Sequence, residues 1–203
     1  MNRLILVRHA HSASNAGDAV NGVPPGLGLS AEGREQARAL GRDLAGEEID
    51  LGVSSRLLRA RETLELALEG RAIPLAVEPL LDEVGFGSFE GGLLADYRTW
   101  AWSSGPEVVG PGGGEARAAI AARIAAGLEA LLERPEAVIL AVSHGLPVRY
   151  VLDAAVGSVP VARPDQVPNA SAHRLGRPDV ERAAETLRRW AAAPSFSDPP
   201  FGG

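Results

Sequence analysis

The chain alternates short apolar runs with longer stretches in which apolar residues recur every three or four positions. The short runs predict strands or extended chain, at residues 4–7, 51–55, 73–81, 137–143 and 172–175. The longer stretches predict amphipathic helices, at residues 31–45, 56–70, 115–134, 146–157 and 179–192, with one more short helix between 93 and 114. Strands and helices that alternate in this way predict a three-layer α/β/α sandwich around a mostly parallel sheet.

Turn-forming residues and chain length suggest how these elements are organised. Ser30 is a suitable N-cap for the helix that follows it. Residues 16–29 are rich in Gly and Pro and predict a loop. We expect a single domain over residues 1–193, with residues 85–114 as a lid-like insertion over the active site and residues 194–203 as a disordered tail.

Composition narrows the classes of function. The 203 residues are 45% hydrophobic and 23% charged, which is typical of a soluble globular protein. All 20 basic residues are arginine, and the net charge is −6. This balance argues against nucleic acid or an anionic membrane as a partner, because both need clustered positive charge. The chain has no cysteine and no apolar stretch near the ~20 residues of a membrane span, so we expect a cytoplasmic protein.

Polar residues stand where three of the predicted strands end. The pairs are Arg8 with His9, Ser54 with Ser55, and Ser143 with His144. The carboxyl ends of parallel strands meet at one edge of a sheet, which is where such sheets bind ligands. We therefore expect these side chains to converge on one site.

Arg8, His9 and His144, together with Arg59 in the helix after the second strand, suit a tetrahedral anion. Arginine presents a fixed fork of donors that fits phosphate, and two arginines neutralise a dianion. A neutral imidazole beside such a phosphate is a competent nucleophile, because its attack at phosphorus forms a phosphohistidine. These residue types favour phosphoryl transfer through His9, with His144 donating to the transferring group.

Five stretches in order resemble the motifs of the histidine phosphatase superfamily, the phosphoglycerate-mutase-like group. LVRHAHSASN is similar to the RHG signature, SSRLLRARET to S-S-P-L-x-R-A-x-E-T, and LDEVGFGSFEG to L-x-E-x-x-F-G-x-W-E-G. PGGGE and ILAVSHGLPVR match later landmarks, and PNASAHRL matches more loosely. The matches span roughly residues 3–175, with Ala10, Arg56 and Phe89 in place of the commoner Gly, Pro and Trp.

The resemblance implies a phosphoglycerate-mutase-like fold, a phosphatase activity and a role for each matching residue. His9 matches the phosphorylated nucleophile, and Glu83 matches the general acid and base that serves the leaving oxygen and then water. The phosphate pocket that the resemblance implies contains Arg8, Asn15, Arg59, His144 and Gly145. We expect no cofactor and no metal ion.

Other polar residues are weaker candidates for the site. Asp82 and Glu90 lie in the same loop as Glu83, and only the spacing to the following Phe-Gly pair favours Glu83. His11 is a candidate for contact with the leaving group. Four further candidates also fit purely structural roles: Ser12, Ser143, Arg149 and His173.

Hydrolysis is favoured over mutase chemistry. The cofactor-dependent mutases carry E-R-H-Y-G, whereas residues 83–87 read EVGFG, so the Arg and Tyr that would bind a mutase substrate are missing. We predict a histidine acid phosphatase-type phosphomonoesterase that acts on a small phosphorylated metabolite, with a homodimer left open. Two other classes stay open: a metal hydrolase that uses His9 and His11, and a non-catalytic phosphate-binding module.

The aromatic residues are concentrated in one segment. Five of the nine fall between residues 86 and 102. We hypothesise that this segment covers the active site, excludes water and shapes the leaving-group site. Anchoring of the insertion is the favoured interpretation for Phe86 and Phe89, whereas Tyr97 and Trp100 are the candidates for discrimination among phosphate esters.

Overall fold

The computed structural model describes residues 1–196, in which strands and helices alternate as the sequence predicts. The strands are β1 (Arg3–Arg8), β2 (Leu51–Ser54), β3 (Leu75–Val77), β4 (Val138–Ser143) and β5 (Ala172–Gly176). The helices are α1 (Ala13–Ala16), α2 (Ala31–Asp43), α3 (Leu58–Ala67), α4 (Leu94–Ser103), α5 (Arg117–Leu132), α6 (Gly145–Ala155) and α7 (Arg177–Ala192). The predicted α/β class is confirmed.

The strands form one sheet in the order β3-β2-β4-β1-β5, in which β5 is antiparallel to β1 and the other pairs are parallel. The pairing of β1 with β4 places Arg8 opposite Ser143. The pairing of β2 with the other side of β4 places Ser54 opposite Val142. The carboxyl ends of these three strands therefore meet at one edge of the sheet, as a mostly parallel sheet requires.

Helices cover both faces of the central strands. Leu4 and Leu6 pack in the core with α5, α6 and α7, whereas Ile5 and Val7 pack in the core with α2 and α3. Successive side chains of a strand point to opposite faces, so a strand that is covered on both sides carries apolar residues at consecutive positions. This explains why the central strands read as continuous apolar runs.

Local hydrogen bonds decide where several elements begin and end. Ser30 caps α2 as predicted, because its hydroxyl accepts a hydrogen bond from the amide of Gly33 at 3.1 Å. The helix α1 is not among the predicted elements. It forms because the amide of Ser12 donates to Asn15 Oδ1 at 3.1 Å and the amide of Asn15 donates to Ser12 Oγ at 3.3 Å.

The strand β3 is shorter than the extended segment that the sequence predicts at 73–81. Pro79 opens a 3₁₀ turn over Pro79–Leu81, and the carboxylate of Glu78 accepts a hydrogen bond from the amide of Leu80 at 2.9 Å. Proline cannot donate to a sheet, so the strand ends before it.

The segment 85–114 consists of loops around α4, and its aromatic rings pack on one another. Phe86 and Tyr97 meet edge to face with ring centroids 4.7 Å apart, and Phe89 lies 5.7 Å from Trp100. Phe86 and Tyr97 are buried in the core that α5 and α6 share. The segment is therefore attached to the domain through its rings.

The end of the described chain contacts the core. Phe196 lies against Trp190 with ring centroids 5.8 Å apart, and the Trp190 indole donates to the carbonyl of Ser195 at 2.8 Å. These contacts differ from the disorder predicted from residue 194 onwards, while residues 197–203 of the predicted tail lie outside the described residues. Within residues 1–196, no helix combines the length and apolar character needed to cross a bilayer.

Gly33, in the first turn of α2, lets the backbone of the loop after β1 approach closely. A Cβ added to Gly33 would lie 1.8 Å from the carbonyl oxygen of His11. We expect Gly33→Ala to lower the free energy of unfolding by about 2 kcal/mol, because overpacking that moves backbone atoms costs ~1–3 kcal/mol. Urea unfolding followed by circular dichroism measures the change.

Gly46→Ala is the matched control, because nothing lies within 4 Å of a Cβ added at Gly46. We expect this second variant to keep the stability of the parent to within about 0.5 kcal/mol. Equal stability of the two variants would show that the contact at Gly33 relaxes without cost.

Candidate active site

The residues that the sequence predicts to converge do so at the carboxyl edge of the sheet. The strand ladder continues past β1, where the amide of His9 donates to the carbonyl of Ser143 at 2.9 Å. It also continues past β2, where the amide of Ser55 donates to the carbonyl of Val142 at 3.2 Å. The ring centroids of His9 and His144 lie 5.1 Å apart. The two histidines are thus held by backbone pairing rather than by flexible loop.

His9 is oriented so that its Nε2 atom carries a lone pair. Its Nδ1 atom lies 2.7 Å from the carbonyl oxygen of Ala10, which can only accept, so Nδ1 holds the proton. The Nε2 atom accepts a hydrogen bond from Arg59 Nε at 3.1 Å. Burial lowers the pKa of His9 well below its usual range, and the charges of Arg59 and Arg8 lower it further. His9 is therefore a neutral imidazole whose Nε2 carries the lone pair that accepts from Arg59.

Two side chains fix the backbone around His9. The Asn169 side-chain amide donates to the carbonyl of His9 at 2.7 Å. The Thr63 hydroxyl accepts a hydrogen bond from the amide of Ala10 at 3.0 Å. Both contacts join segments far apart in sequence, and the predicted site residues include neither of them. Asn169 belongs to the loosely matching PNASAHRL stretch, which is the one sequence feature that points to it.

The two predicted phosphate arginines lie on either side of His9. Arg59 is 2% exposed, and its NH1 donates to Asn21 Oδ1 at 3.2 Å. Arg8 donates through NH1 to the carbonyl of Val167, while its Nε is buried with no hydrogen-bond partner in the described part of the chain. Burial is the main cause that lowers the pKa of both guanidiniums. Both remain charged, because the ordinary pKa of arginine is very high. The site thus concentrates positive charge next to a neutral histidine.

His144 presents one unused ring nitrogen to the site. Its Nε2 lies 2.8 Å from the Ser55 hydroxyl. Its Nδ1 is buried without a hydrogen-bond partner among residues 1–196 and lies 3.8 Å from Glu83 Oε2. Burial lowers the pKa of His144 well below its usual range, with the Arg59 charge as the next cause. His144 is completely buried and is not among the residues that line the cavity described below, so this nitrogen faces Glu83.

Glu83 is the carboxylate that the structure brings to His9 and the arginines. Its Oε2 lies 3.8 Å from Arg59 NH2, and its Oε1 accepts a hydrogen bond from the amide of Val84 at 3.0 Å. Burial raises the pKa of Glu83 although the charges of Arg59 and Arg8 oppose that shift. The proton on this carboxyl therefore persists to higher pH than is usual for glutamate, as suits a general acid.

The two rivals of Glu83 have structural partners elsewhere. Asp82 accepts hydrogen bonds from the backbone amide and Nε of Arg56 at 2.8 and 2.7 Å. Glu90 accepts hydrogen bonds from the amide of Gly22 at 2.9 Å and from the side chain of Asn21 at 3.2 Å. Asp82 therefore holds the start of the α3 segment, and Glu90 holds the loop whose Asn21 contacts Arg59.

The remaining predicted residues divide between the site and the scaffold. Arg8, His9, Asn15, Arg59, Glu83 and Gly145 all line one cavity of about 440 Å³. Arg149 also lines this cavity, where it is ion-paired with Asp153. The others have local partners: Ser12 bonds with Ser14, Ser143 with the Leu81 carbonyl, His11 with Ser30, and His173 with Ser171. His11 is not among the residues that line this cavity.

The outer wall of the cavity comes from α4 and from the segment before β5. Tyr97, Arg98 and Trp102 contribute from α4, and Arg163 and Val167 contribute from the other side. Trp100 and Phe89 do not line the cavity. Trp100 therefore does not face the cavity as expected, whereas Trp102 does, because two positions along a helix turn a side chain by about 200°. No motif in the sequence points to Arg98 or Arg163.

One group of side chains has the composition of a metal site. One ligand atom from each of His9, Glu83 and His144 lies within 4.8 Å of the others. His11, the partner of His9 in the predicted metal pair, does not belong to this group and bonds to Ser30 instead. The guanidiniums of Arg8 and Arg59 beside it oppose a cation and favour an anion. The donor set therefore fits an oxyanion better than a metal ion.

An α/β sandwich with two histidines, two arginines and a carboxyl group at the carboxyl edge of its sheet defines the class of phosphoglycerate-mutase-like folds. The family model for the histidine phosphatase superfamily, branch 1, matches residues 4–193. The chain belongs to this superfamily.

Comparison with individual proteins adds detail to this assignment. The chain is 39% identical over 88 residues to adenosylcobalamin/alpha-ribazole phosphatase from Escherichia coli, a match that spans 43% of this chain and 43% of that protein, less than half of either. It is 32% identical over 167 residues to phosphoserine phosphatase 1 from Hydrogenobacter thermophilus, covering 77% of each. The crystal structure of a putative alpha-ribazole-5'-P phosphatase from E. coli superposes with a TM-score of 0.73 at 27% identity, covering 85% of this chain and 89% of that one.

The loop that Glu90 holds suggests a test of how the pocket is positioned. We expect Glu90→Gln to lower the free energy of unfolding by about 1 kcal/mol, because the partly buried amide of Gly22 loses a charged acceptor. We also expect it to reduce the rise in melting temperature that orthovanadate, a tetrahedral anion, produces, because Arg59 loses its Asn21 contact. Differential scanning fluorimetry with and without vanadate measures both effects.

Glu62→Gln is the matched control for that experiment. Glu62 holds another part of the same loop by accepting a hydrogen bond from the amide of Leu29 at 2.7 Å, and it has no contact with Asn21. This variant should lower the melting temperature without reducing the vanadate shift. A vanadate shift reduced equally in both variants would mean that Glu90 acts only through general stability.

Proposed function

We propose that this protein is a metal-independent phosphatase that hydrolyses phosphomonoesters through a phosphohistidine at His9. The observation that carries the proposal is the Nε2 lone pair of a buried neutral His9, 3.1 Å from the Nε of Arg59. Enzyme nucleophiles are commonly activated in this way, because a lowered pKa keeps the attacking atom unprotonated. Sequence relatives whose names include phosphatase activities support the same class.

The first half of the reaction transfers the phosphoryl group to the enzyme. Nε2 of His9 attacks phosphorus, and the bond between phosphorus and the ester oxygen breaks. The leaving oxygen takes the electron pair of that bond and receives the proton of Glu83. Arg8, Arg59 and Nδ1 of His144 contact the other phosphate oxygens, whose charge they stabilise as the transition state forms.

The second half returns the enzyme to its starting state. The Glu83 carboxylate takes a proton from water, whose oxygen attacks phosphorus. The bond between phosphorus and Nε2 breaks, and its electron pair returns to His9 while inorganic phosphate departs. One carboxyl group thus acts first as acid and then as base. Burial of Glu83 supports this role because it keeps the protonated form available to higher pH than is usual for glutamate.

Hydrolysis is supported over mutase chemistry by the side chains beside Glu83. Val84 and Phe86 both line the cavity and are almost completely buried, at 1% and 7% exposed. They cannot supply the charged and hydroxyl contacts that the mutase pattern places in this segment. Water is therefore the favoured acceptor of the phosphoryl group.

The same proposal includes predictions of the substrate class, the cellular location and the oligomeric state. The substrate is a small phosphorylated metabolite, and the activity is that of a histidine acid phosphatase-type phosphomonoesterase. Alpha-ribazole phosphate and phosphoserine, named for the relatives, are the first esters to test. The cytoplasmic location and the homodimer stay predictions. Phe86, Tyr97 and Trp102 are the aromatic residues of the predicted lid that line this cavity.

Hydrolysis of 4-nitrophenyl phosphate in excess chelator, by the parent and by His9→Ala, tests the proposal. We expect turnover to survive chelation and to fall by at least about 10³-fold in the variant, as expected when a covalent nucleophile is lost. Alkaline quenching of the parent should trap a base-stable, acid-labile phosphate that the variant lacks. Turnover abolished by chelator would favour the metal hydrolase. Vanadate binding without hydrolysis of any ester would favour a non-catalytic module.

The pH dependence tests the role of Glu83. As an acid, Glu83 contributes below its raised pKa, and its contribution is lost as pH rises through that value. We expect Glu83→Gln to remove this alkaline limb and to slow phosphoryl transfer from alkyl phosphates by about 10²–10⁴-fold. Transfer from 4-nitrophenyl phosphate should slow much less, because nitrophenolate leaves without a proton. Rapid-quench measurement of phosphoenzyme formation between pH 5 and 9 gives both profiles.

Equal losses for the alkyl and nitrophenyl esters would contradict the general-acid role of Glu83. Glu48→Gln is the matched control, because Glu48 is exposed in the loop between α2 and β2. It should keep both the rates and the pH profile of the parent.

A further inference from the structure

The two histidines of the site have hydrogen-bond partners of different kinds. His9 Nδ1 lies 2.7 Å from the carbonyl oxygen of Ala10, which can only accept. His144 Nε2 lies 2.8 Å from the Ser55 hydroxyl, which can donate or accept. A neutral imidazole carries its proton on one nitrogen, and the hydrogen bond of the other nitrogen decides which one. The tautomer of His144 therefore depends on where the Ser55 hydroxyl directs its own proton.

Neighbouring strands hold Ser55 and His144 side by side. Ser55 follows β2 and His144 follows β4, and these strands pair in parallel with Ser54 opposite Val142. The amide of Ser55 donates to the carbonyl of Val142 at 3.2 Å, so the pairing continues to this position. Ser55 and His144 are both completely buried. The sheet therefore fixes the contact between the hydroxyl and the ring, and it excludes water from that contact.

The Ser55 hydroxyl already accepts one hydrogen bond from the backbone. The amide of Leu57, which precedes α3, donates to Ser55 Oγ at 3.3 Å. Among residues 1–196, the other hydrogen-bond partner of this hydroxyl is His144 Nε2. A buried donor without an acceptor costs free energy, so the hydroxyl proton points to Nε2. Nε2 then carries a lone pair, and the proton of the ring is on Nδ1.

The Nδ1 atom of His144 faces the carboxyl group of Glu83. It lies 3.8 Å from Glu83 Oε2 and is buried without a hydrogen-bond partner in the described chain. Burial lowers the pKa of His144 well below its usual range, so the ring carries one proton only. A lone pair on Nδ1 would repel the oxygens of a carboxylate or a phosphate, whereas a proton there attracts them. The tautomer protonated at Nδ1 therefore suits its surroundings.

A second pair of serine and histidine has the opposite arrangement. Ser171 Oγ lies 3.1 Å from His173 Nε2. This hydroxyl donates its proton to the carbonyl of Pro168 at 2.8 Å. Because a hydroxyl has one proton, Ser171 must accept from His173, whose Nε2 then carries the proton of that ring. The two pairs therefore predict different tautomers within one protein.

We propose that Ser55 is a positioning residue that fixes His144 in the tautomer protonated at Nδ1. His9 has the reverse arrangement, with its proton on Nδ1 held by Ala10 and its lone pair on Nε2. One ring thus supplies the lone pair that attacks phosphorus, and the other supplies a proton that is donated to a phosphate oxygen. This inference rests on the proposed phosphatase function and adds to it a residue that acts through His144.

Nitrogen-15 NMR of protein labelled at histidine tests the tautomer in the parent. The chain has four histidines, and His9→Ala, His11→Ala and His173→Ala each remove one set of signals, which assigns the fourth set to His144. Couplings between the carbon-bound ring protons and the two nitrogens distinguish the tautomers. At about pH 8, where an ordinary histidine is neutral, we expect His144 protonated at Nδ1 and His173 protonated at Nε2. A His144 ring protonated at Nε2 would overturn the proposal without any variant.

Ser55→Ala removes the donor to Nε2, and Ser171→Ala is the matched control. We expect Ser55→Ala to reduce the ratio of Nδ1-protonated to Nε2-protonated His144 by at least about fivefold, which corresponds to one neutral hydrogen bond of ~1 kcal/mol. Ser171→Ala should change the signals of His173 and leave those of His144 as in the parent. An unchanged ratio in Ser55→Ala would show that another group fixes the tautomer.

Binding of orthovanadate, measured by calorimetry, connects the tautomer to the phosphate pocket. We expect Ser55→Ala to weaken this binding by about three- to tenfold, because the anion loses one hydrogen bond. Ser171→Ala should bind orthovanadate as the parent does. Full affinity in Ser55→Ala despite a changed tautomer would show that His144 donates nothing to the anion, which would also overturn the proposal. None of these measurements needs turnover, so a parent that hydrolyses no ester would contradict the proposed function alone.

Discussion

The contact between the buried guanidinium of Arg59 and the neutral ring of His9 is the interaction on which the site depends. Arg59 Nε donates to His9 Nε2 at 3.1 Å, so the ring must present a lone pair at that atom. A buried charge costs several kcal/mol unless other groups compensate it. Glu83 at 3.8 Å and Asn21 at 3.2 Å supply part of that compensation. An oxyanion supplies more, and it meets charges that are already fixed in position.

The same burial sets the protonation states of the two groups that proposed catalysis needs. It lowers the pKa of His9 and raises the pKa of Glu83, because it disfavours the charged form of each. The arginines act on both residues in the same direction, towards lower pKa, so they assist the shift of His9 and oppose that of Glu83. One cause, the exclusion of water from the sheet edge, therefore favours a neutral His9 and extends the protonated form of Glu83 to higher pH.

Sequence reasoning predicts those parts of the protein that depend on regular elements. The apolar runs locate β1, β2 and β4, and the geometry of a parallel sheet then brings Arg8, His9 and His144 together. Glu83 lies in a loop without periodicity, so only its resemblance to a family motif separates it from Asp82 and Glu90. The order of strands and helices along the chain is also predictable, because it follows from the apolar pattern. The early end of β3 depends instead on a single residue, Pro79.

The parts that sequence reasoning misses depend on contacts between segments far apart in the chain. Asn21 reaches Arg59 because Glu90, 69 positions away, holds its loop. Asn169 reaches the His9 carbonyl across 160 positions. Neither spacing produces a pattern that a sequence window can detect. Such residues follow from the fold and become visible only once the loops are placed.

The cavity has two parts. One is lined by residues at the sheet edge, and the other is lined by α4 and the segment before β5. The residues that would bind the phosphoryl group in the proposed reaction lie at strand ends and in the first turn of α3. The outer wall of the cavity is formed by α4 and by the segment from Arg163 to Val167. Arg117 ties that segment to the core by donating to the Val161 carbonyl at 3.0 Å and by contacting the Tyr150 ring. The segment before β5 is therefore tied to the core. In the proposed reaction, a change of side chain in the outer wall would alter which ester fits without disturbing the atoms that would transfer the phosphate.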